Sequence, residues 1–353
     1  MNAPHPQRVL LRMPNWLGDC IIALPAVNGL RRALPGAELL VMVRAPMAGL
    51  FEMVAVDTVL PFDFGAGLRS VGARMSFARR LHGMHIDAAL ILPNSFDSAL
   101  VPWLARVPVR VGRPANGRRF MLTHPVERPA HSTMRHQAEW YVRLVEKWIG
   151  GPIDARYDVR LNVPAAAAAS VAARTREWDA PVVALNPGAT NSVAKCWMSD
   201  RFARVAVRAH ETHGAHVVII GGPGDVARCG EVAAHIERLS PSSASWCEDL
   251  AGKTTLHDLA AWLQACRCLV TNDTGAMHVS AAVGTPVVAI FGPTSGAATG
   301  PLGEGHRLVV SRVDCGPCDE RTCRTDHRCM TSITAERVWA EVDALLGGAA
   351  AGA

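Results

Sequence analysis

The stretch Val270–Thr294, VTNDTGAMHVSAAVGTPVVAIFGPT, decides the fold. An apolar strand pattern ends in the polar turn Thr271-Asn272-Asp273-Thr274-Gly275 and is followed by an apolar helix pattern. The chain then turns at Gly284-Thr285-Pro286 and resumes as a strand over Val287–Phe291, closed by Gly292-Pro293. That is one βαβ unit. In open parallel sheets ligands sit beyond the carboxyl ends of the strands, where a helix start offers N–H groups and the positive end of its dipole. An anion fits that place. Thr274 and Gly275 let backbone amides approach a phosphate, Asp273 is placed to cap the helix, and His278, one turn inside, is placed to face the same pocket. The same residues also suit a simple capped helix with a core histidine, and this stretch alone does not separate the two readings.

Outward from it, strand-like runs alternate with helical patterns: Val9–Met13, Leu39–Val43, Ala88–Leu92, Val182–Leu185, His216–Ile220, Leu269–Thr271 and Val287–Phe291. Such alternation predicts an α/β protein of parallel sheets covered by helices. The alanine-rich segment near Asn162–Pro181 separates two sets of strands. We therefore expect an N-terminal domain over 1–165, a linker over 166–179, a C-terminal domain over 180–347 and a disordered tail over 348–353. Both halves open with a strand, a glycine-bearing turn and a helix, which predicts two similar α/β domains facing a central cleft. Leu259–Cys268 and Thr334–Leu346 read as further helices.

Composition agrees. With 353 residues, 49% of them hydrophobic and 19% charged, the chain has ample core material and no disordered signature. No signal-peptide pattern opens it, and no apolar run approaches the roughly 18 residues of a membrane helix. Six of the ten cysteines, Cys20, Cys196, Cys229, Cys247, Cys266 and Cys268, are scattered through strand and helix patterns, which suits inert core thiols in a reducing cytoplasm. The formal net charge of +5 favours anionic ligands or a membrane surface, and no nucleic-acid-binding module is present.

Further turns carry candidate chemistry. In Pro14-Asn15-Trp16-Leu17-Gly18-Asp19 a carboxylate stands at a helix start, as an N-cap or as a proton acceptor. Asn186-Pro187-Gly188-Ala189-Thr190-Asn191 precedes Lys195, a cation suited to clamp a diphosphate. Gly221-Gly222-Pro223-Gly224-Asp225 follows its strand as a nucleotide loop would, without the spacing of a dinucleotide fingerprint. Lys253 and Thr254 can flank a base or ribose, or belong to a plain loop. Arg106, Arg110, Arg113, Arg118, Arg119 and Arg128 fall within 23 residues that hold one acid, Glu127, and suit either a solvated face or a phosphate-bearing acceptor. Cys315-x2-Cys318-x4-Cys323-x5-Cys329 has spacing that can bind zinc, although its second pair is wider than the usual structural finger.

These segments together resemble the bacterial lipopolysaccharide heptosyltransferases, glycosyltransferase family nine. The resemblance rests on NWLGDCIIALPA, NPGATNSVAKCW, VIIGGPGDVA, LAGKTTL, the Val270–Thr294 stretch and the CGPC-to-CM segment, while LPNSFDSALVPW is most similar to the heptosyltransferase II type. The resemblance implies a GT-B architecture of two Rossmann-like domains, the C-terminal one holding the donor. It also implies inverting, metal-independent transfer of L-glycero-D-manno-heptose from ADP-heptose to the heptosyl-Kdo inner core, at the cytoplasmic face of the inner membrane. By position, Asp19 matches the general base and Lys195 the cation against the donor diphosphate. Thr190, Asn191, Asp225, Lys253, Thr254, Asp273, Thr274, Gly275 and His278 fall to the donor. Asn15, Trp16, Arg110, Arg113, Arg118 and Arg119 fall to a lipid A-linked acceptor. Met198 and Ala276 depart from the family pattern, in which Pro usually follows the Trp of the Lys-x-Trp motif and Pro or Leu usually follows the donor-loop Gly. No cofactor is required on this reading, with a structural zinc at the cysteine segment as an added expectation. The alternatives are transfer at another inner-core position, a non-catalytic nucleotide-sugar or lipid A binding protein, and a cysteine-based metal or redox protein.

Overall fold

The computed structural model describes residues 6–65, 69–128, 136–157, 159–190 and 192–348. The chain divides into two compact units, Met1–Val159 and Arg160–Ala353. In the first, β1 (Arg8–Arg12), β2 (Glu38–Arg44), β3 (Thr58–Phe62), β4 (Ala88–Ile91), β5 (Val109–Gly112) and β6 (His124–Pro125) form one sheet in the order β3-β2-β1-β4-β5-β6. Every pairing is parallel, with Val9 opposite both Leu39 and Ala88. Strands covered on both faces need no polar alternation, which is why β1, β2 and β4 are near-continuous apolar runs.

The second unit repeats the plan. Its strands β7 (Val182–Asn186), β8 (His216–Ile219), β9 (Cys247–Asp249), β10 (Cys268–Asn272), β11 (Val287–Phe291) and β12 (Arg307–Val310) order as β12-β11-β10-β7-β8-β9, again all parallel. In each unit the first strand is central and the order reverses beside it. The reversal lies between β1 and β4 in one unit and between β7 and β10 in the other. Ligands of doubly wound sheets bind outside the carboxyl ends of the strands at such a reversal.

Some boundaries differ from expectation. The segment expected to link the domains, 166–179, lies largely in a helix, Ala165–Arg174, that buries Val171 and packs on helix Leu256–Ala265 within the second unit. An alanine run is the best helix former available, so a packing partner suffices to fold it. The helix expected over Leu259–Cys268 runs over Leu256–Ala265, because Thr255 and Asp258 form a reciprocal capping box at its start and Cys268 opens β10. The closing helix, Ala335–Gly347, is capped by Thr334 and buries Val338, Trp339 and Val342 in the core of the second unit. Of the expected tail, residues 349–353 lie outside the described residues. No helix among the described residues is long and apolar enough to cross a membrane.

Candidate active site

At the reversal in the second unit, two buried asparagines tie the strand ends together. Asn186, ending β7, donates to Ile220 O (3.0 Å) and accepts from the hydroxyls of Thr274 (3.0 Å) and Thr271 (3.3 Å). Asn272, ending β10, donates to Pro187 O (2.8 Å) and Gly188 O (3.1 Å) and accepts from Trp197 N (3.1 Å). Buried amides of this kind are stable only when satisfied, so these bonds hold the two turns in one arrangement. Trp197, fully buried and donating from its indole to Ile333 O at 2.9 Å, anchors the chain two residues beyond Lys195.

Lys195 Nζ thereby stands 2.7 Å from Asp273 Oδ2, which also accepts from Thr294 Oγ1 at 2.8 Å. The sequence places Asp273 to cap the following helix, but it does not do so. The N-cap of Gly275–Ala282 is Thr274, no side chain caps that helix, and the Asp273 carboxylate turns to the lysine instead. There it meets a full positive charge and the Thr294 hydroxyl in place of the helix amides. The helix N-terminus, its dipole and an ammonium group therefore converge at the reversal. His278 is buried one turn inside, and Gly275 is half-buried.

The other donor candidates follow neighbouring strands of the second unit. Asp225 follows β8 and accepts from Gly222 N at 3.0 Å. Lys253 follows β9 and is exposed, and its ammonium donates to Asp249 O at 2.6 Å. Thr254 is half-buried and Thr190 exposed. Asn191 lies outside the described residues.

In the first unit, Asp19 follows β1 at the reversal. It is not an N-cap: Trp16, 48% exposed, holds that position for helix Leu17–Ile22, and Asp19 lies in the first turn. Its Oδ1 accepts from Gln137 Nε2 at 3.2 Å, and the same amide donates to the Tyr141 hydroxyl at 2.9 Å. Behind them Arg12, which ends β1, is buried against the Phe62 ring, 4.5 Å from its centroid, and donates to Asn15 Oδ1 at 2.8 Å. Burial pulls its guanidinium down to about 10. Sequence reading missed Arg12 and Gln137. A lone charge inside the apolar run of β1 signals the first, while no local pattern signals the second.

The four arginines assigned to the acceptor differ in their surroundings. Arg118, assigned to the acceptor, is fully buried: it donates to Arg113 O (2.9 Å), Ser95 O (3.0 Å) and Ser98 Oγ (2.6 Å), and burial lowers it to about 10. Arg110 donates to Met121 O at 2.6 Å and to Val107 O. Loop carbonyls that no strand satisfies recruit both guanidiniums, so these two hold the loop together. Of the assigned four, Arg119 is exposed and Arg113 half-buried.

Cys315, Cys318, Cys323 and Cys329 line one cavity of about 190 Å³ together with Pro293, Ala194 and His327. All ten cysteines are free thiols. Among the described residues no group of three or more His, Cys, Asp or Glu side chains is placed to hold a metal ion, so the expected zinc site is corrected. The wide second spacing puts Cys329 in helix Arg328–Thr331, buried in the core, while Cys315 and Cys318 are exposed. The segment instead braces the lysine turn: Ala194 N donates to Arg321 O at 3.1 Å, and His327 Nε2 donates to Ala194 O at 2.6 Å.

Comparison with known proteins gives the family of the chain. Residues 74–328 match the family model "Glycosyltransferase family 9 (heptosyltransferase)". The chain is 30% identical to "Lipopolysaccharide heptosyltransferase 2" of Salmonella typhimurium, over 96% of this chain and 98% of that protein, and equally to its Escherichia coli counterpart with the same coverage. Its fold superposes on the solved "E. coli ADP-heptose lps heptosyltransferase II" with a TM-score of 0.83 at 28% identity, covering 97% of this chain and 99% of that one. The chain belongs to glycosyltransferase family 9, the heptosyltransferases.

Proposed function

We propose that the protein is a heptosyltransferase of type II, transferring L-glycero-D-manno-heptose from ADP-heptose to the heptosyl-Kdo inner core of lipopolysaccharide. The second unit serves the donor and the first the acceptor. One observation carries the reading: the Lys195–Asp273 pair lies at the strand-order reversal, beside a helix start that no side chain caps, in a chain similar over its whole length to proteins named for this transfer.

Breaking the bond between the anomeric carbon and ADP leaves negative charge on the diphosphate. Lys195 and the amides opening Gly275–Ala282 are suited to stabilise that charge as it develops, which is the task a divalent ion performs in other transferases. The acceptor hydroxyl must lose its proton as the oxocarbenium-like centre forms. Asp19, oriented by Gln137, takes it, and attack from the face opposite the leaving diphosphate inverts the centre. Because the acceptor is lipid A-linked, the enzyme works at the cytoplasmic face of the inner membrane. Incubation with ADP-heptose and lipopolysaccharides truncated at defined inner-core positions tests the reading. A mass gain of one heptose only on the heptosyl-Kdo form supports it, and no gain on any form overturns it.

A further inference from the structure

Helix Phe96–Leu104 carries Phe96, Leu100 and Trp103 at i, i+4 and i+7, a single stripe of its surface. Phe96 is 44% and Trp103 38% exposed, and both stand against Phe120, 62% exposed, from the short turn Arg119–Met121. The ring centroids are 6.1 Å apart for Phe96–Phe120 and 5.9 Å for Trp103–Phe120. Apolar residues exposed singly are ordinary, whereas large rings gathered in the open mark an interaction surface.

The surroundings are cationic. Residues 96–121 hold five arginines and one acid, Asp97, which is paired with Arg74 at 2.7 Å. Arg110 and Arg118 are committed to loop carbonyls, but Arg106, just past the helix that bears Trp103, and Arg119, next to Phe120, are exposed. The helix starts beyond the carboxyl end of β4, which pairs with β1, the strand leading to Asp19. The aromatic stripe thus sets out from the same edge of the sheet as the proposed base.

We propose that Phe96, Trp103 and Phe120, with Arg106 and Arg119 at their rim, dock this unit on an anionic lipid bilayer. The Trp103 indole suits the headgroup region, the two phenyl rings enter the acyl boundary beneath it, and the arginines meet lipid phosphates. A purely apolar protein partner would not use the cationic rim, and a free anion would not use the rings. The inference rests on the reading of a lipid-linked acceptor, which puts the substrate in such a bilayer.

Co-sedimentation of the full chain with vesicles tests it. The chain should bind phosphatidylglycerol/phosphatidylethanolamine vesicles, bind phosphatidylcholine vesicles much less, and lose binding as salt rises. Trp103→Ser/Phe120→Ser should lower the partition at least about tenfold, while keeping its melting temperature and its transfer to a delipidated, water-soluble acceptor fragment. Arg106→Asn, chosen because asparagine tolerates the positive φ of 57° there, should lower the partition about fivefold. Equal binding to both vesicle types, or double-variant binding equal to the parent, overturns the proposal. So does a double variant that only turns a dimer into a monomer in sedimentation velocity. Failure of the parent to glycosylate the soluble fragment would instead count against the transferase reading and leave the vesicle result standing.

Discussion

Lys195 Nζ and Asp273 Oδ2 lie 2.7 Å apart across the point where the strand order of the second unit reverses. The carboxylate side chain is only 8% exposed and the lysine side chain 27%, so the pair is held mainly by its buried partner. The ammonium group is thereby fixed at the mouth of a helix N-terminus before any anion arrives. Preorganised charge of this kind does not have to be oriented during the reaction.

Lys195→Ala should therefore do two separable things. Loss of a charged hydrogen bond should weaken ADP binding by about 1.5 to 3 kcal/mol, read by titration calorimetry. Stranding the Asp273 carboxylate should also lower the melting temperature. Lys195→Ala/Asp273→Ala should recover much of that stability, since removing both partners leaves no buried lone charge, but not the affinity. Unchanged ADP binding in the single variant would take Lys195 out of the donor site.

Asp19→Asn keeps an oxygen that can accept from Gln137 but cannot take up a proton. Turnover should fall by about 10² to 10⁴, with ADP affinity and melting temperature nearly unchanged. Near-normal turnover would leave the base to another residue.

Gly188 makes room for a carboxylate: a Cβ there would collide with the Asp225 carboxyl group, whereas at Gly224, in the neighbouring turn, it would meet nothing within 4 Å. Gly188→Ala should displace Asp225, break its bond to Gly222 N and weaken ADP binding, with about 1 to 3 kcal/mol of stability lost to overpacking. Gly224→Ala should match the parent in both measurements. Equal behaviour of the two variants would mean that Asp225 does not serve the donor.

Thiol reactivity should follow environment. Hydrogen bonding from Thr325 holds Cys323 below the usual thiol range, while burial pushes Cys229 and Cys268 up to about 12 and raises Cys20 and Cys266 as well. A lowered value means more thiolate at neutral pH, so brief alkylation of the native chain at pH 7 should modify Cys323 together with the exposed Cys315 and Cys318. The four raised thiols should react only after unfolding. Peptide mapping that found Cys229 modified before Cys323 would contradict this order.

If Lys195 and the helix N-terminus carry the leaving-group charge, transfer should persist in excess chelator at close to its original rate. Loss of turnover in chelator, restored by a divalent ion, would replace that mechanism.

Much of this was readable along the chain. Seven of the strands follow from apolar runs bounded by glycine and proline, and the candidate donor residues of the turn Asn272–Gly275, Lys195 and Asp225 follow from their places after those strands. Such signals lie within a few residues of each other, so sequence alone carries them. The short or half-exposed strands β3, β5, β6, β9 and β12 leave no comparable pattern, since Pro61 interrupts one and β12 buries only Val309. What the tertiary structure decided are the pairings. Lys195 and Asp273 are 78 residues apart and Asp19 and Gln137 are 118 apart, and only the winding of the sheets brings each pair together. Folding likewise decided that Arg118 is a buried staple while its neighbour Arg119 is exposed, and that Cys329 is in the core while Cys315 is outside. Residue type sets what a side chain can do. Which partner it meets, and how much water it keeps, depend on chain segments that no local pattern records.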